Sequence, residues 1–523
     1  MNVRLPSVQR PMIVWTGAGA LILGILLLHL LPHLQVLSIA ADDFLLGLEA
    51  GQRVLDGHLP SRDWPSPIGP LFALLNALPL VLGAPGDWAH RWADVLMLAV
   101  LLPALVLAGR GLPAWTVAAA AVLAAAILCT QQDLLTEDAL FFAVTYNRWV
   151  NAFLFVPILW LAAEIRRSDI SLSADAAVGV ALAILAFVKA NAALTAGLLI
   201  LPGLRLRPVR LVRLVVLVAP CLLVAGALMA SGILLPYLSD LIDVIHASDS
   251  RLFFLLRQAS GGLFLASFVS LILLLVQRRR LPRPGLAWLV AWSFFVLFVG
   301  NLQNHTAVIP ALPLLCLVFG VVLWPSDEAG RRVVLPLAVV GAVGVAMLTA
   351  IATLAIRPPA AAAAAAVAVP SPLLPRTAIL VSPPPPPNAT QRDRFRAWYS
   401  ADALQRWQDA LALVSPGETV QTIGQVNVAR IAGARTPRGA FLWQDPNRNW
   451  DPAHDADPAR RLEGACAVLV RRRPRFDLPK DDVLVGHWRA WLETNALLTR
   501  SGAVYDRFDL RGPSCPSASA QAP

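Results

Sequence analysis

The chain has 523 residues, 57% of them hydrophobic and only 15% charged, against roughly 25% charged in soluble proteins. Its formal charge of +10 does not point to nucleic acid, because the arginines cluster in short loops between apolar runs, the positive-inside signature. Residues 1–387 hold 18 acids and 24 bases, and residues 388–523 hold 15 and 19, so composition divides a lipid-soluble part from a water-soluble one.

The first apolar run, Met12 to about Leu31, is followed by no small-residue cleavage site and reads as a signal anchor. A crossing helix needs about 20 mostly apolar residues. Spans are predicted at 12–32, 92–109, 113–130, 145–165, 174–188, 189–203, 212–232, 260–277, 285–302, 305–324 and 332–356. With the N-terminus cytoplasmic, fifteen arginines fall inside: Arg4, Arg10, Arg110, Arg166, Arg167, the run Arg205 to Arg213, Arg278 to Arg283, Arg331 and Arg332. About six fall outside in the membrane part, which puts the C-terminal domain in the periplasm. This topology requires that 68–84, with Pro70 and Pro79, lie at the outer surface, and that 174–203 cross twice as a broken or re-entrant hairpin.

Residues 357–387, rich in Ala and Pro, are predicted to be a stiff, extended spacer. Beyond them, helical spacing at 392–414 and 487–500 alternates with strand-like runs at 419–426, 464–472 and 504–510, a small α/β domain. Cys129, Cys221 and Cys316 lie in apolar runs, whereas Cys466 and Cys515 lie in the tail. In an oxidising compartment the last two are expected to pair.

Thirteen of the 18 acids of the membrane part fall on the outer side of this topology. The positive-inside rule ignores acids, so this asymmetry points to a reaction or binding face there. The sharpest constellation is AADDFLLGLEAGQRVLDGHLPSRDWPSPIGPLF, residues 40–72. Leu45, Leu46, Leu48, Val54 and Leu55 give an amphipathic helix lying on the outer surface, with Asp42 and Asp43 at its start. A carboxylate at headgroup level suits deprotonation of an acceptor hydroxyl. The plainer alternative is a solvated loop in which Asp42 caps a helix.

This run resembles the first extracytoplasmic loop of the GT-C superfamily of membrane glycosyltransferases, which use polyprenyl-phosphate sugars. The closest branch is the bacterial one, family 39/83-like, related to protein O-mannosyltransferases and lipid A aminoarabinose or galacturonic acid transferases. The family's Asp-Glu, "A..L..G..P..D" and "PPL" are matched by Asp42-Asp43, by Ala50, Leu55, Gly57, Pro60 and Asp63, and by Pro67 to Leu71. The second acid is Asp and one proline is replaced by Gly69, which leaves open which carboxylate is the base. Arg91 matches an arginine that such proteins carry after the surface helices. AFVKANAAL, residues 186–194, resembles the family's "FL-x-K" break, and Lys189 is the only lysine of the membrane part. An ionisable residue at such a break is a functional candidate. Its role would be to bind the lipid phosphate, with snorkelling to an interface as the alternative.

Other candidates follow from position. Arg148 in YNRW could touch a phosphate or anchor its helix with Trp149. Asn304 and His305, beside Asn301 and Gln303, could meet donor or acceptor. Asp63, Asp240, Asp243 and His246 could line an acceptor cleft, and the last three, at helical spacing, could hold a divalent cation, against the plainer reading of an ordinary solvated helix face. His29 and His33 could make a metal site with Asp42 or Asp43, although Pro32 argues for a helix end there.

The resemblance implies an all-α, polytopic, GT-C-like membrane domain over 1–356, with about eleven transmembrane helices, outer-surface amphipathic helices and a first periplasmic loop at 33–91. A linker at 357–387 and a periplasmic α/β domain at 388–523 would follow. It implies an inverting glycosyltransferase of the bacterial inner membrane, moving a sugar from polyprenyl phosphate to a hydroxyl of an envelope glycan or glycolipid. Asp42 or Asp43 would be the base, and Lys189 with Arg91 or Arg148 would stabilise the leaving phosphate. No cofactor is called for beyond a divalent cation, whose presence is left undetermined. Two other classes compete. A polysaccharide polymerase or ligase would not need the acid pair, and usually relies on a large late periplasmic loop; 233–259 is short. A transporter or sensor should show internal repeats and polar residues at mid-membrane depth, and neither is visible.

Overall fold

The computed structural model describes residues 9–31, 34–37, 41–66, 68–130, 145–206, 210–247, 262–281, 283–300, 310–324, 327–357, 360–424, 426–444, 450, 458–472 and 479–510. In chain order the elements begin with α1 (Gln9–Leu30), β1 (Gln35–Leu37), α2 (Ala41–Leu55), α3 (Pro70–Val81), α4 (Gly86–Ala108) and α5 (Ala114–Cys129). They continue with α6 (Thr145–Phe153), α7 (Phe155–Arg166), α8 (Leu172–Val188), α9 (Ala190–Arg205), α10 (Leu211–Ala230) and α11 (Leu234–Ala247). Then come α12 (Gly262–Val276), α13 (Gly285–Gly300), α14 (Ala311–Val322), α15 (Glu328–Leu354) and α16 (Ala360–Ala365). The tail holds β2 (Val367–Ala368), β3 (Thr377–Ile379), α17 (Gln391–Leu413), β4 (Val420–Thr422), α18 (Pro458–Arg461), β5 (Ala467–Arg471), α19 (Pro479–Asn495), β6 (Ala496–Ser501) and β7 (Tyr505–Leu510).

Every predicted span has a helix, the fourth being served by α6 and α7 together. Among the described residues, five stretches are long and apolar enough to cross a membrane: Pro11–Leu30, Gly86–Ala108, Thr145–Arg166, Leu211–Ala230 and Glu328–Leu354. The other predicted spans form apolar helices of 10–17 residues. The chain is a multi-pass helical membrane protein with small sheets in its tail. Helix α3, at 12 residues, belongs to the same class of shorter apolar helices.

Two compact units divide the chain. One comprises residues 1–32, 94–227 and 251–357, and the other 33–93, 228–250 and 358–523. This differs from the predicted division, because the first loop joins the tail.

Within the first unit, α14 and α15 cross closely. A Cβ on Gly341 would lie 2.1 Å from the Leu317 nitrogen, so only glycine allows that approach. The same unit holds a buried ion cluster. Arg213 of α10 donates to Asp175 of α8 at 2.8 and 2.9 Å and to Glu164 of α7 at 3.2 Å. The Trp160 indole also donates to Asp175, at 2.9 Å. Arg213, a loop arginine by its place in the sequence, is therefore an internal residue with no exposure; a buried cation persists only where such partners surround it.

Within the second unit, β1 pairs in parallel with β3, and β2 pairs antiparallel on the other side of β3. The predicted spacer is thus corrected. Its Val367–Ala368 and Thr377–Ile379 are strands, Leu374 and Ala378 are fully buried, and the Ser371 hydroxyl donates to the Ile431 carbonyl at 2.7 Å. The second sheet has the order β4-β5-β7-β6. Trp488, Leu492 and Trp450 pack with Val468, Val470 and Phe508 of this sheet in the core. The predicted second helix of the tail stops at Asn495, and Ala496–Ser501 turns into an edge strand on β7. Cys466 is disulfide-bonded; its expected partner Cys515 lies outside the described residues. Cys129, Cys221 and Cys316 are free thiols.

Helix α2 also departs from expectation. It is no surface helix. Asp42, Phe44, Leu45, Glu49 and Arg53 are all buried. Gly51 lets α3 come close, since a Cβ there would lie 2.9 Å from the Asn76 carbonyl. The polar face is covered by the tail.

Candidate functional site: an acid pair and a mixed-charge cleft

The acid pair occupies the first turn of α2, where the helix dipole favours negative charge. Asp42 is 4% exposed. Its Oδ2 accepts from the Tyr399 hydroxyl at 2.7 Å, and its Oδ1 from Arg406 Nη1 at 2.7 Å. Arg406 also donates to Asp402 at 2.8 Å, and Arg471 donates to the same carboxylate. Two carboxylates and two guanidiniums therefore balance in a buried cluster. Burial pulls the Arg406 guanidinium down, but Asp42 and Asp402 outweigh it and hold the charge firmly. Asp43 is half-buried.

Two turns on, Glu49 has no exposed surface. It accepts from Arg53 at 2.7 Å, Arg430 at 2.7 Å and the Thr436 hydroxyl at 2.6 Å. Arg430 also reaches Asp56, and Arg53 donates to the Phe441 carbonyl at 2.9 Å. Burial pushes the Glu49 carboxyl up, but Arg430, Arg53 and Thr436 together hold it below the ordinary range. Nothing in the sequence singles out Glu49 or Arg430. Their pairing joins residues 381 positions apart.

Past the end of α2 a cleft of about 510 Å³ is lined by the 61–66 turn, by α11 and by residues between 438 and 463. Asp63 accepts from the Leu59 amide at 2.7 Å, Arg62 at 2.8 Å and Arg438 at 2.6 Å. Burial opposes its ionisation, but these donors prevail and hold it at about 2. Asp240 is the opposite case. It accepts from the Ser66 amide at 3.0 Å, yet burial dominates and pushes the carboxyl up to about 7. Asp243 lines the same cleft and is exposed. Asp63, Asp240 and Asp243 all line this cleft. His246 lies in α11, but its side chain is outside the described residues.

Lys189 is extended (φ −158°, ψ 99°) between α8 and α9, which is the break expected from the sequence. Its Nζ donates to Asn147 Oδ1 at 2.9 Å and lies 5.0 Å from the centre of the Tyr146 ring. It is half-buried. Arg148 is packed against protein groups. It is 1% exposed, lies 3.5 Å from Asp94 and donates to the Thr145 hydroxyl at 3.3 Å, while Trp149 donates to Asp94 at 2.7 Å. His29 sits 3.5 Å from the same Asp94. Arg91 has no exposure and stacks over Trp88 at 5.5 Å. Arg148 and Arg91 are thus both buried side chains. Asn304 and His305 lie outside the described residues. Among the described residues, no group of three or more His, Cys, Asp or Glu is placed to hold a metal ion.

No family model matches the chain, and no curated protein matches it. Among solved structures it is similar to ArnT from Cupriavidus metallidurans bound to undecaprenyl phosphate, at 12% identity and a TM-score of 0.45, over 98% of this chain and 100% of that one. The apo state of the same protein gives 13% identity and a TM-score of 0.45, over 96% and 98%. Likeness of this degree carries no weight for site or substrate.

Proposed function

We propose that this chain is a glycosyltransferase of the bacterial inner membrane that takes a sugar from a polyprenyl-phosphate donor and passes it to a hydroxyl of an envelope glycan or glycolipid at the periplasmic face. The observation that carries this is the acid pair Asp42–Asp43 in the first turn of the helix directly behind the first span. One of these carboxylates takes the acceptor's hydroxyl proton. The oxygen attacks the anomeric carbon, and the bond from that carbon to the phosphate oxygen breaks on the opposite face. The electron pair leaves on the lipid phosphate, so the sugar is inverted. Lys189, half-exposed on its Tyr146 and Asn147 support, supplies the positive charge for that phosphate.

The test uses the full chain in nanodiscs with a panel of polyprenyl-phosphate sugars, measuring released lipid phosphate and transferred sugar. Asp42→Asn and Asp43→Asn are made singly. The variant lacking the base should turn over about 10²–10⁴-fold more slowly with donor binding nearly intact. Lys189→Ala should weaken donor binding together with the rate, since it removes charge in ground and transition states alike. Near-normal turnover in both Asp variants discards the mechanism.

A further inference from the structure

We propose that the cleft at the far end of α2 is a subsite for a neutral, extended saccharide, the acceptor chain, held apart from the acid pair. This rests on the glycosyltransferase reading. The cleft volume of about 510 Å³ falls within the roughly 300–1,000 Å³ of small-ligand sites.

Its lining identifies the chemistry. The described lining residues carry four guanidiniums and four carboxylates. A phosphate or polyanion site would show an excess of cations, and a lipid-tail site would be apolar. A balanced set of fixed donors and acceptors instead suits hydroxyl groups, which both give and take hydrogen bonds. Asp63 is fixed between Arg62 and Arg438. Asp240 and Asp243, three apart on α11, line the same cleft. Trp443 and Phe441 are half-buried there, with the Arg461 guanidinium 4.3 Å from the Phe441 ring centre. Such rings offer an apolar face for the C–H side of a pyranose while polar groups around them engage its hydroxyls.

Location gives the length. Arg53 braces this region through the Phe441 carbonyl and stacks over Trp64 at 5.1 Å. It lies eleven positions along α2 from Asp42, about 16 Å of helix. A ligand held in the cleft while its reacting hydroxyl meets the acid pair must therefore span several sugar units.

The experiment measures binding without a donor. The full chain in nanodiscs is titrated, by tryptophan fluorescence and calorimetry, with size-fractionated neutral oligosaccharides released from the envelope of a strain lacking this chain. Polyphosphate is titrated in parallel. Saturable binding of the longer fractions is expected. Asp243→Asn, an exposed position that spares the fold, and Trp443→Phe should weaken it roughly tenfold, the scale of one charged hydrogen bond. Absence of binding, preference for polyphosphate, or unchanged affinity in the cleft variants overturns the proposal. Retained cleft binding with no donor supporting transfer would instead reject the glycosyltransferase reading and leave the cleft standing.

Discussion

Arg430→Gln should be the most damaging single change in the second unit. Glu49 has no exposure and relies on two cations, Arg53 and Arg430. Removing one leaves a buried carboxylate undercompensated, a loss of about 3–5 kcal/mol for a broken buried pair. At roughly 2–4 °C per kcal/mol for a domain of this size, the melting temperature should drop by about 6–20 °C. Glu49→Gln should cost less, because Arg430 keeps Asp56. The double variant should be less unstable than the sum of the two by about 0.5–3 kcal/mol. The pH dependence has a definite sign. The folded Glu49 carboxyl lies below its ordinary value of 4.5, so its contribution is present above that value and lost as pH falls through the folded one. In Arg430→Gln burial gains the upper hand and the carboxyl rises, so the deficit should be largest at pH 7 and narrow towards pH 5. Thermal unfolding in nanodiscs at several pH values measures all of this. Strict additivity, or a deficit that widens on acidification, would refute the docking of α2 on the tail.

Asp240→Asn should stabilise the protein at alkaline pH. With a folded value of about 7 against 3.8, Asp240 contributes fully below about pH 4 and loses that contribution as pH rises through 7. The variant should lead the parent by about 1–2 kcal/mol at pH 8.5, a figure discounted for partial exposure, and a reversed order would be decisive against it. Arg213→Gln takes the guanidinium from Asp175, while Glu164 keeps Arg167 at 3.5 Å, and should cost about 3–5 kcal/mol, read as lost folded yield; unaltered yield and melting would contradict the buried cluster. Gly51→Ala drives a Cβ against the Asn76 backbone and should destabilise by about 1–3 kcal/mol. Gly197→Ala meets nothing within 4 Å and should stabilise a helix by about 0.5–1 kcal/mol; equal effects at the two sites would contradict the packing of α2 on α3.

The spans were legible because an apolar run of membrane length would be insoluble as anything but a crossing or fully buried helix, and Lys189 because a lone lysine between two short runs breaks the pattern. The covering of α2 was not. Its leucine spacing describes one apolar face equally well whether the other face meets water or protein. The partners that settle the question, Tyr399, Arg406 and Arg430, come from the tail and carry no local signal. Alanine and proline dominate 357–387 and disguise two short runs of strand formers, VAV and TAIL; they pair with each other, and TAIL also pairs with 35–37, residues before the second span. Asp63, Asp240 and Asp243 were recognisable singly, as acids on the expected outer side. That they share one cleft with Trp443 and Arg438 depends on three distant segments meeting.

The ion pair between Glu49 and Arg430 also sets a schedule for synthesis. The two residues are 381 positions apart, so at about 5–20 residues per second Glu49 leaves the ribosome roughly 20–75 s before its partner. Through that interval α2 cannot adopt its final burial, because its charges would have no counterparts. The first loop must wait beside the membrane until the last span and the tail have been made. A ribosome that stops before Arg430 would therefore leave a fully inserted but unfinished protein, marked for quality control by an exposed α2.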